Sequence, residues 1–130
     1  MNERATILIV EDNAMIQEIM SERLKLRGYD VLTASNGEQA VETAVNQLPN
    51  LILMDISLPI MDGWQATEAL KSDSTTAHIP IIALTAHALV EDKNKSLRIG
   101  CDEFETKPIN MPQLLGKIET LLAQATKSTS

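Results

Sequence analysis

Short runs of apolar residues, separated by longer mixed segments, dominate the pattern of this chain. Three of these runs, residues 7–10, 51–54 and 79–84, are continuous rather than alternating. Continuous apolar runs of this length are typical of strands buried on both faces, as in a parallel sheet covered by helices. Weaker signals at residues 31–32 and 104–106 predict two further strands. The pattern therefore predicts five strands.

The segments between the strands have the length and the spacing of helices. Residues 14–27 place several apolar side chains on one side, and Gly28 is a natural stop. Ser35 and Glu38 are spaced as a capping box, which predicts a helix that opens there and ends near Gln47. Further helices are predicted over residues 64–72, 88–99 and 110–125.

Strands and helices thus alternate five times along the chain. Such alternation implies a parallel sheet with right-handed crossovers. Five units of this kind fit an open, doubly wound α/β fold of the flavodoxin-like type, with a five-stranded sheet in the order 2-1-3-4-5. We predict one domain over residues 1–125 and a disordered polar tail over residues 126–130.

Composition and charge exclude several classes of protein. A length of 130 residues fits a single domain. The net charge of −7 argues against direct binding to nucleic acid, which usually requires a basic patch. Cys101 is the single cysteine, so an intrachain disulfide is excluded and a reducing cytoplasm is expected. We find no signal peptide and no apolar stretch near the roughly 20 residues that cross a bilayer, so no membrane association is expected.

Polar residues suited to binding a metal or a phosphate follow four of the five predicted strands. The first strand ends in residues 11–12 (Glu-Asp), the third in Asp55, the fourth in Thr85 and the fifth in Lys107. In an open α/β sheet, ligands bind beyond the carboxyl ends of the strands, so these side chains are expected to meet on one rim. Each residue alone could be a helix cap, a turn residue or a surface lysine. Their coincidence at four strand ends favours a functional site.

The chemistry of this set points to phosphoryl transfer. Three carboxylates carry about three negative charges and repel each other unless a cation lies among them. Oxygen ligands in a water-accessible cleft favour Mg²⁺, which also binds phosphate oxygens. Asp55 is then a carboxylate nucleophile that can form an aspartyl phosphate. Lys107 and Thr85 would contact phosphoryl oxygens.

The motifs at these strand ends resemble those of response regulator receiver domains of two-component systems, over about residues 6–122. Any one motif is weak, but together, in this order and at these strand ends, they are a strong signal. Because little of the chain lies outside the domain, it resembles the CheY-like single-domain members. The matching segments are residues 7–13, 53–59, 61–63, 81–86 and 107–108.

The resemblance implies a set of roles for the site. Asp55 would accept a phosphoryl group from a phosphohistidine on a sensor histidine kinase or a histidine phosphotransfer protein. Thr85 and Lys107 would contact that group, and the Lys107–Pro108 peptide bond would be cis. A bound Mg²⁺ would be held by Glu11, Asp12, Asp55 and the backbone carbonyl of Ser57.

The resemblance also implies a switch that transmits the signal. Thr85 would move toward the phosphoryl oxygens, and Phe104, at the family's switch aromatic position but without a hydroxyl, would fill the space it leaves. The face formed by the fourth helix, fifth strand and fifth helix would then change and control binding of a downstream effector protein. Ser57 and His87 occupy positions that tune autodephosphorylation in relatives.

Several alternatives remain open from the sequence. The chain could be a receiver excised from a hybrid histidine kinase, or a pseudo-receiver that folds but is never phosphorylated. It could also be either a monomer or a weak dimer. A magnesium-dependent phosphohydrolase of the haloacid dehalogenase type also uses an Asp nucleophile, but needs a second Asp where Ser57 stands. A flavin binder would need a phosphate loop where Glu-Asp-Asn follows the first strand. We therefore expect no enzyme activity beyond self-phosphorylation and autodephosphorylation.

Overall fold

The computed structural model describes residues 4–58, 60–86 and 90–128. Within these ranges the strands are β1 (Thr6–Val10), β2 (Asp30–Ala34), β3 (Leu51–Asp55), β4 (Ile81–Thr85) and β5 (Glu103–Thr106). The helices are α1 (Ala14–Leu26), α2 (Gly37–Gln47), α3 (Gly63–Ser72), α4 (Val90–Ile99) and α5 (Met111–Ser128). No helix within these ranges is both long and apolar enough to cross a membrane.

The five strands form one parallel sheet in the order β2-β1-β3-β4-β5, which confirms the predicted strand order and fold class. The register aligns the carboxyl ends of the strands. Val10 pairs with both Ala34 and Met54, and the next strand pair aligns Asp55 with Leu84. The residues that end or follow β1, β3, β4 and β5 therefore lie along one edge of the sheet.

Helices cover both faces of the sheet, which explains the continuous apolar runs. Residues 7–10 of β1 and 51–54 of β3 alternate between two separate core clusters, and all of them are fully buried. One cluster packs against α2 and α3 and includes Leu8, Val10, Ile52, Met54, Ala44 and Leu70. The other packs against α1 and α5 and includes Ile7, Ile9, Leu51, Leu53, Leu24 and Ile118.

The predicted cap of α2 is wrong by one residue. Asn36, not Ser35, is the N-cap, and its side chain accepts a hydrogen bond of 2.8 Å from the backbone N–H of Gln39. Ser35 instead donates its backbone N–H to Oε1 of Gln39, at 2.9 Å. Asparagine is at least as good an N-cap as serine, so two adjacent candidates competed and the sequence could not rank them.

Two element boundaries also differ from the prediction. β4 begins at Ile81, two residues later than the apolar run, because Pro80 lacks the N–H that a central strand needs. α5 continues to Ser128, three residues beyond the predicted end of the domain. A helix that is already formed extends easily through residues such as Lys127, because each added residue gains one backbone bond.

Candidate functional site

Three carboxylates come together at the carboxyl edge of the sheet. Glu11 directly follows β1, Asp12 is next to it, and Asp55 ends β3. Each offers a carboxylate oxygen that lies within 4.8 Å of the other two. Glu11 and Asp55 are each 2% exposed, whereas Asp12 is exposed. The residues predicted from two different strand ends are thus neighbours in space.

Lys107 reaches into this cluster from the end of β5. Its Nζ donates to Oδ2 of Asp55 at 2.9 Å and to Oε1 of Glu11 at 3.2 Å. The Lys107–Pro108 peptide bond is cis, as the resemblance implied. One ammonium group therefore bridges the two buried carboxylates.

The remaining oxygens of the two buried carboxylates accept backbone hydrogen bonds. Oδ1 of Asp55 accepts from the N–H of Ser57 at 3.0 Å, and Oε2 of Glu11 accepts from the N–H of Asn13 at 3.2 Å. Both bonds come from the loop that follows the strand, two residues further on. Each carboxylate is thus held by one cation and one local N–H, which fixes its orientation.

Burial and charge act on the titration of these groups in opposite directions. The pKa of Glu11 is raised overall, mainly by burial and also by the negative charge of Asp55. The hydrogen bond from the N–H of Asn13 and the positive charge of Lys107 lower it, but by less. Burial alone would lower the pKa of Lys107, but its hydrogen bond to Asp55 and the charges of Asp55 and Glu11 outweigh this and raise it. Lys107 therefore stays charged, while burial, together with the charge of Asp55, makes Glu11 harder to ionise than a free carboxylate.

The donor set fits Mg²⁺. The three clustered ligand groups are all carboxylates, and one of them, on Asp12, faces solvent. Lys107 offsets one of the three negative charges, which leaves an excess of about two in a mostly buried place. Hard oxygen donors with one side open to water are the usual surroundings of Mg²⁺ in proteins. Ser57 lies beside them on the loop after β3, and the role of its carbonyl stays a prediction.

Thr85 and Phe104 lie on the next two strands of the sheet, β4 and β5. Thr85 ends β4, is 2% exposed, and accepts a backbone hydrogen bond of 2.7 Å from the N–H of Lys107. Phe104 pairs with Ala83 in the sheet and packs in the core cluster of α2 and α3. Both side chains are close to the strands that carry the site, whereas His87 lies outside the described residues.

Gly63, at the start of α3, belongs to the 61–63 segment of the family resemblance, and the structure places it against the end of β3. A Cβ atom at this position would meet the backbone oxygen of Asp55 and would lie 2.7 Å from the Cα of Ile56. Any side chain larger than hydrogen would therefore displace the backbone at the end of β3, where Asp55 lies. The Asp-Gly pair in the sequence signalled the turn but not this close packing.

The family of the chain can be decided from its match to known domains. A family model described as the response regulator receiver domain matches residues 7–119. The chain belongs to the response regulator receiver family. Receiver domains are signalling modules of two-component systems rather than enzymes in the ordinary sense.

Relatives of this receiver include both short and long proteins. It is 36% identical over 120 residues to the polar-differentiation response regulator DivK of Brucella anthropi, covering 92% of this chain and 98% of DivK. It is 37% identical over 129 residues to the probable transcriptional regulator ycf27 of Pyropia yezoensis, covering 99% of this chain. The receiver spans only 52% of that relative, so about half of ycf27 has no counterpart here.

A solved receiver structure offers a direct comparison for the acidic site. The receiver domain of the sensor histidine kinase PA1611 from Pseudomonas aeruginosa has a TM-score of 0.86 and 35% sequence identity to this receiver. The match covers 93% of this chain and 99% of the PA1611 domain. That structure holds a magnesium ion in its active-site cleft.

Proposed function

We propose that this receiver accepts a phosphoryl group on Asp55 from a phosphohistidine, with Mg²⁺ held by Glu11, Asp12, Asp55 and the carbonyl of Ser57. The observation that carries the proposal is the position of Lys107, whose ammonium lies 2.9 Å from Oδ2 of a buried Asp55. A lysine there can move from the carboxylate to a phosphoryl oxygen as that oxygen arrives. Phosphoryl transfer needs little from a protein beyond such alignment and charge stabilisation.

The reaction exchanges one bond to phosphorus for another. A carboxylate oxygen of Asp55 attacks the phosphorus atom, and the P–N bond of the phosphohistidine breaks. The imidazole of the donor leaves with the electron pair of that bond, and an acyl phosphate remains on Asp55. Bound Mg²⁺ supplies positive charge to the phosphoryl oxygens. Lys107 contacts one of these oxygens, and the Thr85 hydroxyl hydrogen-bonds another.

The test of this proposal is a mass measurement on the intact protein. Incubation with acetyl phosphate and Mg²⁺ is expected to add about 80 Da, the mass of one phosphoryl group, and EDTA should prevent the gain. Peptide mapping should locate the added mass in the segment that contains Asp55. A gain that persists unchanged in EDTA would contradict the proposed metal dependence.

The docking place of the donor protein is part of the same proposal. A groove of about 450 Å³ lies between α1 and residues 107–112, and Lys107 is one of its lining residues. The α1 wall includes Ile16 and Ile19, which are 37% and 47% exposed. Because the lysine that touches Asp55 also lines this groove, a donor whose apolar helix fills it can present its phosphohistidine to that carboxylate. The groove thus supports docking of the kinase or phosphotransfer protein on α1.

Ile19→Glu is expected to separate protein donors from small-molecule donors. The charge should slow transfer from a phosphorylated histidine phosphotransfer domain about tenfold or more, because it replaces an apolar contact in a docking groove. Labelling by acetyl phosphate, which needs no docking, should not change. Leu97→Glu on α4 is the matched control, since Leu97 is 46% exposed but lies outside the groove. Equal slowing of transfer by the two variants would rule out docking at α1.

The output surface is the face formed by α4, β5 and α5. Phosphorylation replaces one negative charge at Asp55 with about two, which draws Thr85 toward the new oxygens. Thr85 pairs with Thr106 in the sheet, and Phe104, two residues before Thr106 on the same strand, can then repack. Nζ of Lys117 on α5 donates to the backbone oxygen of Phe104 at 2.6 Å, so a shift in β5 reaches α5 directly. A downstream effector protein can read this change as a shift in population.

This switch predicts chemical shift changes far from the site. Addition of beryllofluoride and Mg²⁺ to the labelled protein should move the backbone amide resonances of β5 and α5, as well as those next to Asp55. Asp55→Asn should not show the changes in β5 and α5. Changes confined to the loops around Asp55 would mean that the α4–β5–α5 face does not respond.

A further inference from the structure

The side chain of Gln17, in the first half of α1, bridges two strands at the edge where the carboxylates meet. Its Nε2 donates to the backbone oxygen of Glu11 at 3.0 Å and to that of Ala34 at 3.2 Å. Both partners are carbonyl oxygens, which only accept hydrogen bonds, so the amide nitrogen must face them. The half-buried, uncharged Gln17 has no part in the chemistry described above.

These bonds fix the peptide group that precedes Asp12. The oxygen of Glu11 belongs to the peptide unit that links Glu11 to Asp12, and in the described part of the chain Gln17 is its hydrogen-bond donor. On its other side, Glu11 donates its N–H to the oxygen of Ala34 at 3.0 Å. Gln17 contacts that same oxygen, so it closes the β1–β2 ladder just beyond its last pair, Val10 and Ala34.

Asp12 itself has few other constraints. It is exposed, and within the described residues it makes no hydrogen bond or ion pair of its own. The direction of its carboxylate therefore depends on the peptide groups before and after it. The following one is held through the N–H of Asn13, which donates to Glu11, and the preceding one is held by Gln17. Holding a ligand in its bound direction before the metal arrives lowers the entropy cost of binding.

We propose that Gln17 is a positioning residue for the metal site, which preorganises Asp12 by fixing the Glu11–Asp12 peptide group. The inference rests on the proposed function, since it assumes that Asp12 is a ligand of Mg²⁺. It predicts a specific phenotype, in which metal affinity falls while the phosphoryl transfer step itself is spared. If Gln17 only fastened α1 to the sheet, stability would fall and metal affinity would not.

The variant that tests this inference is Gln17→Met, which keeps the length of the side chain but removes both donors. The dissociation constant for Mg²⁺, measured by titration calorimetry on the full chain, is expected to rise about five- to tenfold, toward the low end for residues that orient metal ligands. The Mg²⁺ concentration that gives half-maximal labelling by acetyl phosphate should rise by the same factor. The labelling rate at saturating Mg²⁺ should stay within about twofold of wild type, because Asp55 and Lys107 are untouched.

Gln39→Met is the matched control. Gln39 also bonds a loop backbone group beside the sheet, the N–H of Ser35 at 2.9 Å, but that group adjoins none of the proposed metal ligands. Its Mg²⁺ dissociation constant should match that of wild type. If Gln17→Met unfolds, Gln17→Asn, whose amide is one methylene too short to reach both carbonyls, should show the same rise.

The outcomes separate this inference from the function on which it rests. Wild-type protein that binds no Mg²⁺ would refute the proposed function itself. Wild type that binds Mg²⁺ and a folded Gln17 variant that binds it equally well would overturn the role of Gln17 alone. An equal loss of affinity in the Gln17 and Gln39 variants would also overturn it, because the effect would then not follow from the Glu11–Asp12 peptide.

Discussion

Asp55→Asn is expected to abolish phosphorylation of this receiver by acetyl phosphate, with a loss of at least about a thousandfold in rate. The amide has the shape of the carboxylate but is not a nucleophile toward phosphorus. The substitution keeps the shape of the side chain and removes one of three clustered negative charges, so the fold should persist and the loss should arise from chemistry. Intact mass measured over time gives the labelling rate, and far-UV circular dichroism checks that the variant is folded.

Asp12→Asn is the control for this variant. It changes the exposed carboxylate of the same cluster but leaves the nucleophile in place. Its labelling should be weak at low Mg²⁺ and should recover as Mg²⁺ is raised, whereas no concentration of Mg²⁺ should restore Asp55→Asn. Labelling of Asp55→Asn at the wild-type rate would show that another residue accepts the phosphoryl group.

The strand order and the position of the site could be predicted because both follow from local sequence signals. Continuous apolar runs marked the buried strands, and their alternation with helical segments limited the sheet to a parallel one. The carboxyl ends of the strands in such a sheet share an edge, so the sequence alone predicted that Glu11, Asp55 and Lys107 lie close together. In the structure, Nζ of Lys107 lies 2.9 Å from Asp55 and 3.2 Å from Glu11, although β4 separates β5 from β3 in the sheet.

Features that depend on contacts between backbone groups of distant segments could not be predicted. Gln17 is one polar residue on a helix, and it bonds the backbone oxygen of Ala34. Every residue has such an oxygen, so the sequence does not indicate which one Gln17 contacts. Gly63 signalled a turn, but its packing against the oxygen of Asp55 depends on how α3 leaves the loop. The choice of Asn36 over Ser35 as the cap was similarly decided by a difference too small for propensities to resolve.

Lys107 has two tasks in this molecule, one in the resting state and one in the reaction. In the structure its ammonium is the cation that lies between two carboxylates, each 2% exposed. In the proposed reaction the same group leaves Asp55 to contact the phosphoryl oxygens. A substitution at this position should therefore lower both the stability of the fold and the rate of phosphoryl transfer, and Mg²⁺ should separate the two effects.

Lys107→Met is expected to lower the free energy of unfolding in EDTA by about 2 to 3 kcal/mol. This is below the 3–5 kcal/mol typical of a fully buried pair that loses one partner, because the Lys107 side chain is 25% exposed. Saturating Mg²⁺ should restore most of the stability, since a divalent ion replaces the lost charge. It should not restore the labelling rate, which should stay at least about a hundredfold below wild type. Urea unfolding with and without Mg²⁺, beside the mass assay, measures both.

The double variant Glu11→Gln, Lys107→Met separates the charge effect from loss of packing. Removal of one carboxylate together with its cation leaves only the exposed carboxylate of Asp12 near Asp55, so part of the stability lost in EDTA should be regained. Because the two side chains are in contact, their effects on the free energy of unfolding should not be additive, and we expect a coupling of about 1 to 2 kcal/mol. Additive losses would mean that Lys107 stabilises the fold through its aliphatic chain. A Lys107→Met variant as stable in EDTA as wild type would show that the two buried carboxylates do not need this cation.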